Sequence, residues 1–214
     1  MAQAALAGLE GFVSELNDEY IDVEAWAVFH VWLDGRPKKN APYFSAFRAW
    51  QLFHWLPAPG TVPLPIDETC KTIAEAYLKL QSANLEKSHV EIIKKAVLHS
   101  PDIYELCAFD GDQVTAIGLI SRQKITIFQP GLSRAGKSGD YLMAHAIPAA
   151  DGCHILLGAS NVICRTAKPL VQIFCSLAEK VDNSKPGAFE MIQSDFFNLF
   201  YDLVKHIPSK TKSI

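Results

Sequence analysis

Residues 103–128 read IYELCAFDGDQVTAIGLISRQKITIF. Ile103 to Phe109, Gln113 to Ile120 and Lys124 to Phe128 are short runs of strand-forming residues, separated by turn signals. Asp110-Gly111, between the first two, is a hairpin turn of the kind that needs a positive φ. A chain that doubles back this tightly pairs antiparallel, because a parallel partner needs a crossover of about a dozen residues or more. These runs therefore set the fold class.

The pattern continues downstream. Tyr141 to Ile147 and Cys153 to Leu157 form a second pair, joined through Pro148-Ala-Ala-Asp-Gly152. Five short strands without crossover helices predict an antiparallel meander that either curls into a small barrel or packs its sheet on helices.

Upstream, the period is helical. Glu24 to Leu33 is short and apolar and stops at Asp34-Gly35-Arg36-Pro37. Asn40 is placed to cap Tyr43 to Trp55, whose polar residues Ser45, Arg48 and Gln51 form one narrow stripe, so it reads as a core helix. Asp67 is the expected cap of a helix that turns Ile73, Tyr77 and Leu80 inward, and Ser88 of one that turns Ile92, Ile93, Ala96 and Val97 inward. After the strands, a helix starts near Pro169, and Pro186 to His206 carries a wide stripe of Phe189, Ile192, Phe196, Leu199, Phe200 and Leu203. The prediction is an α+β protein with an N-terminal helical layer, a five-stranded antiparallel meander or small barrel, and C-terminal helices. No polar linker divides it, so 1–214 reads as a single compact unit with helical (1–101), antiparallel β (102–162) and helical (163–214) sub-regions.

The bulk numbers fit a folded protein: 214 residues, 49% hydrophobic and 20% charged. A net charge of −3 counts against nucleic acid as a partner. Within 102–162, six acids face four bases, Arg122, Lys124, Arg134 and Lys137. Phosphate binding there would need those four gathered on one rim. The N-terminus lacks the Lys or Arg of a secretory signal, and the longest apolar stretch, Ala25 to Leu33, is too short to span a bilayer. Cys70, Cys107, Cys153, Cys164 and Cys175 contain no C-x-x-C and read as reduced, mostly buried thiols of a cytoplasmic protein.

One motif needs a decision. Gly131-Leu-Ser-Arg-Ala-Gly136-Lys137-Ser138 spells the phosphate-cradling pattern G-x-x-x-x-G-K-S. Such a loop works when a helix begins directly after the Lys-Ser and aims its amides at the phosphates. Here Gly139-Asp140 and a strand follow, with Pro148 soon after, so the stretch reads as a loop between antiparallel strands. Nucleotide binding through Gly131, Gly136, Lys137 and Ser138 is kept as the alternative.

The other constellations are sparse. Cys153 and His154 point to opposite faces of a strand, whereas Cys107 has His145 or His154 as a potential base across the sheet. Asp110 and Asp112 read as turn acceptors, and the histidines show no metal spacing.

Ile103-Tyr-Glu-Leu106, Ser133-Arg134, Gly139-Asp140-Tyr-Leu-Met-Ala144, Ile147-Pro148 and Asp151-Gly152 follow one another in a recognisable order. Together with Phe29-His-Val-Trp-Leu-Asp-Gly-Arg-Pro37, they resemble uncharacterised bacterial proteins that often carry a SecA-type zinc motif, over about residues 25–160. The resemblance implies that Gly139-Asp140 is a turn feeding a strand. It implies no metal, because the clustered Cys and His of that motif are absent, and it brings no established activity. The expectation is a non-enzymatic interaction module without cofactor, metal or membrane. Its partner would be another protein or a second copy, met through the C-terminal apolar helix, and weak nucleic-acid binding through the basic loop is a further alternative.

Overall fold

The computed structural model describes residues 2–16, 21–22, 24–25, 42–57, 60, 62–67 and 69–178. The expected Asn40 cap, most of the 24–33 helix, the Phe29–Pro37 turn and the Pro186–His206 helix lie outside these residues.

Among the described residues, the helices given full bounds before the strands are α1 (Ala2–Glu15), α2 (Phe44–Phe53), α3 (Ile73–Gln81) and α4 (Lys87–Leu98). Helix α3 is capped by Thr72, not Asp67: Thr72 Oγ1 accepts from Glu75 N, and Glu75 Oε2 accepts from Thr72 N at 2.9 Å. The T-x-x-E signature of a capping box was present in the sequence. Asp67 instead closes its own turn on Thr69 N at 2.8 Å and pairs with Lys79 at 2.9 Å. Helix α4 begins at Lys87, with no side-chain cap from Ser88. Leu80, expected inward, is 52% exposed, because Tyr77 and Ile73 already complete the buried face of α3.

Helix α2 is the centre of the helical layer. Phe47, Trp50, Leu52 and Phe53 are buried, and so is Gln51 from the expected polar stripe. Gln51 Nε2 donates to Asp22 Oδ1 at 2.9 Å, and Arg48 Nη1 donates to the same oxygen at 2.8 Å. The stripe is polar because it meets the half-exposed Asp22 carboxylate, which gives the buried Gln51 amide and the Arg48 guanidinium an acceptor.

The strands are β1 (Asp102–Asp110), β2 (Gln113–Gly118), β3 (Lys124–Phe128), β4 (Tyr141–Pro148) and β5 (His154–Ala159). They close into a small barrel in the order β1-β2-β3-β5-β4. The first three pair as the hairpin signals predict, with Gly111 at φ 59 in the β1–β2 turn. Strand β4 then crosses to β1, where Asp102 faces Ala144 and Glu105 faces Tyr141. Strand β5 slots between β3 and β4, antiparallel to β4 and parallel to β3 through the register pair Ile127–His154. The sheet is thus mixed, and its order is not that of a meander. Irregularities at Leu106/Ala108 and His145/Ala146 supply the local bends that closure requires.

Strand β4 is buried along nearly its whole length, and alternation explains how. Leu142, Ala144 and Ala146 face the barrel interior with Leu106, Val114 and Ile127. Tyr141, Met143 and Ile147 face the opposite way and join the helical core with Trp50, Phe53 and Ile93. Helices α1, α2 and α4 pack on β4 or β5, so this wall of the barrel is covered. The approach is closest at Gly158, where an added Cβ would strike the Ser45 carbonyl oxygen and the Ala49 methyl of α2.

A four-residue helix, α5 (Leu132–Ala135), joins β3 to β4 and sends Leu132 into the barrel core. Helix α6 (Lys168–Ala178) follows a 3₁₀ turn, with Pro169 in its first turn, and buries Val171, Phe174 and Cys175. No cysteine is in a disulfide; Cys70 and Cys175 are buried, Cys107 and Cys153 half-buried and Cys164 exposed, so the expectation of mostly buried thiols holds in full for two of the five. Among the described residues no helix is long and apolar enough to cross a membrane.

Candidate functional site

The Gly131–Ser138 stretch has a helix, but in the wrong place for a nucleotide. Helix α5 precedes Lys137, and the chain after Ser138 turns at Gly139, φ 85, and enters β4 at Tyr141. The Lys137 amide donates to Asp140 Oδ2 at 2.9 Å, and the Arg165 amide donates to Asp140 Oδ1 at 2.9 Å. Gly139 N is taken by the Leu106 carbonyl at 2.8 Å. A carboxylate of the chain itself therefore stands where an anion would have to bind. Gly131, Gly136, Lys137 and Ser138 build this turn and its entry.

The four bases are not gathered on one rim. Arg122 and Lys124 precede or open β3, whereas Arg134 and Lys137 follow its far end, in α5 and the loop after it. The five residues of β3 span about 13 Å at ~3.3 Å per residue.

Among the described helices, only the short α5 touches the wall of the barrel opposite α1, α2 and α4. This wall is formed by β2, β3 and the end of β1, and it presents Gln113, Thr115 and Ile117 beside Phe128, Thr126 and Lys124 in register. Ile117 and Phe128 are 37% and 46% exposed, large apolar groups on an otherwise polar surface. Asp110 and Asp112 stand exposed at the β1–β2 turn, and Glu105 lies opposite Ile117.

At the end of the barrel away from α5 there is a cavity of about 220 Å³, lined among others by His99, Asp102, Tyr104, Ser121, Gln123 and His154. Asp102 is buried and clasps the β2–β3 turn. Its Oδ1 accepts from Ile103 N at 2.6 Å and Ile120 N at 3.0 Å, and its Oδ2 accepts from Ser121 N at 3.0 Å. Gly118 makes room for this clasp, since a Cβ there would strike Asp102 Oδ2 and Ser121 Oγ. Burial raises the Asp102 carboxyl above its ordinary range, while the Ser121 hydroxyl and the three amides act in the opposite direction. Burial also raises the Tyr104 phenol.

Behind the cavity lie two further histidines. His145, on the helix-facing side of β4, has its ring centroid 4.8 Å from that of His54 at the end of α2 and 5.3 Å from that of Phe53. Burial lowers His54 to about 4 and holds His145 well below the ordinary imidazole range, each ring also opposing charge on its neighbours. No spacing in the sequence announces this pair. It arises only when α2 is laid on β4.

Neither expected base reaches Cys107. The thiol sits in the β1 irregularity with its Sγ 3.5 Å from the Glu105 carbonyl, and burial, then Glu105, raises it. A raised thiol is the unreactive kind. Among the described residues no group of three His, Cys, Asp or Glu is arranged to hold a metal ion. No family model, curated protein or solved structure matches the chain.

Proposed function

We propose that the protein is a non-enzymatic interaction module that docks a basic, partly apolar segment of a partner protein on the open wall of its barrel. The observation that carries this is the asymmetry of the barrel. One wall is sealed by α1, α2 and α4, while the other exposes Ile117 and Phe128, with three carboxylates on its strands and turns against two bases, Lys124 and Arg122. Five-stranded Greek-key barrels of the OB type bind oligonucleotides and oligosaccharides on the face of the second and third strands and the adjoining loops. The charge balance favours a cationic polypeptide over an oligonucleotide here. Three of the chemically capable groups serve the fold: Asp102 holds a turn, Asp140 holds the Gly-rich loop, and burial raises the Cys107 thiol. This reading keeps the resemblance to uncharacterised bacterial proteins that often carry a SecA-type zinc motif as a proposal; a turn at Gly139-Asp140 that feeds β4 is what that resemblance implies.

The test is selection of random displayed peptides on the full chain, followed by titration of the winners. Enriched peptides should combine Lys or Arg with aliphatic residues. They should bind about tenfold more weakly to Phe128→Ser and to Asp110→Lys/Asp112→Lys, the loss expected of an interface anchor. Absence of enrichment, indifference to both variants, or tighter salt-sensitive binding of oligo-dT would overturn the proposal.

A further inference from the structure

The start of β3 offers an edge that no other described strand takes up. In the β2–β3 ladder Gly118 N donates to Gln123 O at 2.8 Å and Gln129 N donates to Asp112 O at 3.0 Å, so the bonded residues on the β3 side are the odd-numbered ones. The main-chain groups of Lys124 and Thr126 therefore point away from β2, toward β5. Strand β5 meets β3 in one register pair, Ile127–His154. The residues before His154 turn back on themselves: Cys153 O accepts from Ala149 N at 2.8 Å, and Cys153 N donates to Asp151 Oδ1 at 3.0 Å. Among the described residues, the Lys124 amide and carbonyl and the Thr126 amide are left without a strand partner. A bare edge of this kind is a template for an added strand.

The cavity at the barrel end opens beside this edge, with Gln123 and Ile125 lining it from one side of the gap and His154 from the other. Its polar lining is committed within the fold. Asp102 holds three amides, Ser121 Oγ accepts from Gln123 N at 3.3 Å, and His99 Nδ1 lies 2.8 Å from the Lys95 carbonyl. What remains is mainly apolar: Leu98, Pro101, Ile120, Ile125, Ala146 and the Tyr104 ring. Leu98, at the rim, is 80% exposed. At about 220 Å³ the cavity has room for one leucine or phenylalanine side chain, since a cavity of roughly 150 Å³ takes up benzene.

Edge and cavity are in register with each other. In a strand laid along β3, the residue opposite Ile125 points inward with it, and its two neighbours lie outward beside Lys124 and Thr126. Lys124 is exposed and pairs with no carboxylate among the described residues, so the outward place next to it favours an acid. The edge is a different surface from the wall of β2 and β3: it offers main-chain groups, whereas the wall offers side chains.

We propose that an extended segment of a partner polypeptide adds to β3 at Lys124–Thr126, in line with β5, with one apolar side chain in the cavity and an acidic side chain beside Lys124. Main-chain hydrogen bonds supply the affinity in this mode, and the pocket for the inward side chain supplies the selectivity.

The test uses acetyl-Thr-Glu-Leu-Glu-Thr-amide, which reads the same in both directions, titrated against the isotope-labelled full chain. In the free chain the Thr126 amide should exchange at least about tenfold faster than those of Ile125 and Ile127. The peptide should bind saturably below about 10 mM, shift the amides of Leu98, Lys124, Thr126 and His154, and slow exchange at Thr126. Leu→Ala in the peptide should weaken it about tenfold, and Leu98→Ser in the protein about threefold. N-methylation should abolish binding either at the two glutamates or at the leucine, and be tolerated at the other, because alternate amides face β3. Lys124→Glu should reverse the preference between this peptide and acetyl-Thr-Lys-Leu-Lys-Thr-amide, read at the same amides. A Thr126 amide already protected in the free chain, no saturation by about 10 mM, or shifts centred on Asp110 and Asp112 would each overturn the proposal. So would equal effects of the two N-methylation patterns, or an order of preference that Lys124→Glu leaves unchanged.

Discussion

Lowering the pH from 7.5 to 5 should destabilise this protein through His54 and His145. Both rings are buried where α2 meets β4. The unfolded chain takes up a proton on each at the ordinary imidazole pKa, about 6.5. The folded His54 resists until about 4, because burial removes water from the cation and only a backbone group near His99 favours it. Below 6.5 the unfolded state therefore binds more protons, and stability falls as pH falls. At pH 5, about 1.5 pH units into that window, His54 alone removes about 2 kcal/mol, at ~1.4 kcal/mol per unit. His145 adds to this with the same sign. The titratable groups that bear on the pair are each other and His99. Asp102 acts with the opposite sign, because its raised carboxyl takes its proton in the folded state first. The assay is urea unfolding followed by tryptophan fluorescence at pH 7.5, 6 and 5. A total stability of ~5–15 kcal/mol makes a 2 kcal/mol loss plain in the midpoint. In His54→Phe, which keeps a flat ring against Phe53, the drop between pH 7.5 and 5 should shrink by about that amount. Equal midpoints at pH 7.5 and 5, or an undiminished drop in His54→Phe, would refute the assignment.

Three further outcomes follow from close contacts. Gly158→Ala should cost about 3 kcal/mol in thermal or urea unfolding, because the new methyl strikes the backbone of α2. Asp102→Asn should cost about as much, since the NH2 that replaces Oδ2 cannot accept from the Ser121 amide; hydrogen exchange at Ile120 and Ser121 should accelerate. Asp140→Ala should destabilise by about 2 kcal/mol by freeing the Lys137 and Arg165 amides, whereas Lys137→Ala should stay within about 0.5 kcal/mol and leave the chain indifferent to ATP.

Which parts of the fold were legible follows from the range of the forces involved. Strand β3 begins and ends where the alternation of Lys124 to Phe128 begins and ends, and α4 stops three residues before Pro101, because period and breaker are local signals. The hairpin at Gly111 was legible for the same reason. Partner choice was not. Strand β5 reads the same whether it pairs with β3 or β4 alone or lies between them, and its place depends on Gly158 accepting α2 and on Leu132 entering the barrel. The Thr72 cap was available as T-x-x-E, but Asp67 is an equally good cap by residue type. Only the position of the first helical turn separates them.

The candidate site divides along the same line. The open wall could have been read from β2 and β3 once the hairpin was accepted, because Gln113, Thr115 and Ile117 alternate with Val114 and Ala116. The cavity could not, since its rim is assembled from His99 to His154 across three turns of chain. The G-x-x-x-x-G-K-S stretch shows why a short pattern underdetermines chemistry. Glycines in such a stretch permit a tight turn, and a tight turn collects amides. What those amides hold is decided by the next acidic side chain in reach. In this protein Asp140, two residues past Ser138, accepts the Lys137 amide and carries the chain into β4, and a loop filled from within has no need of a phosphate.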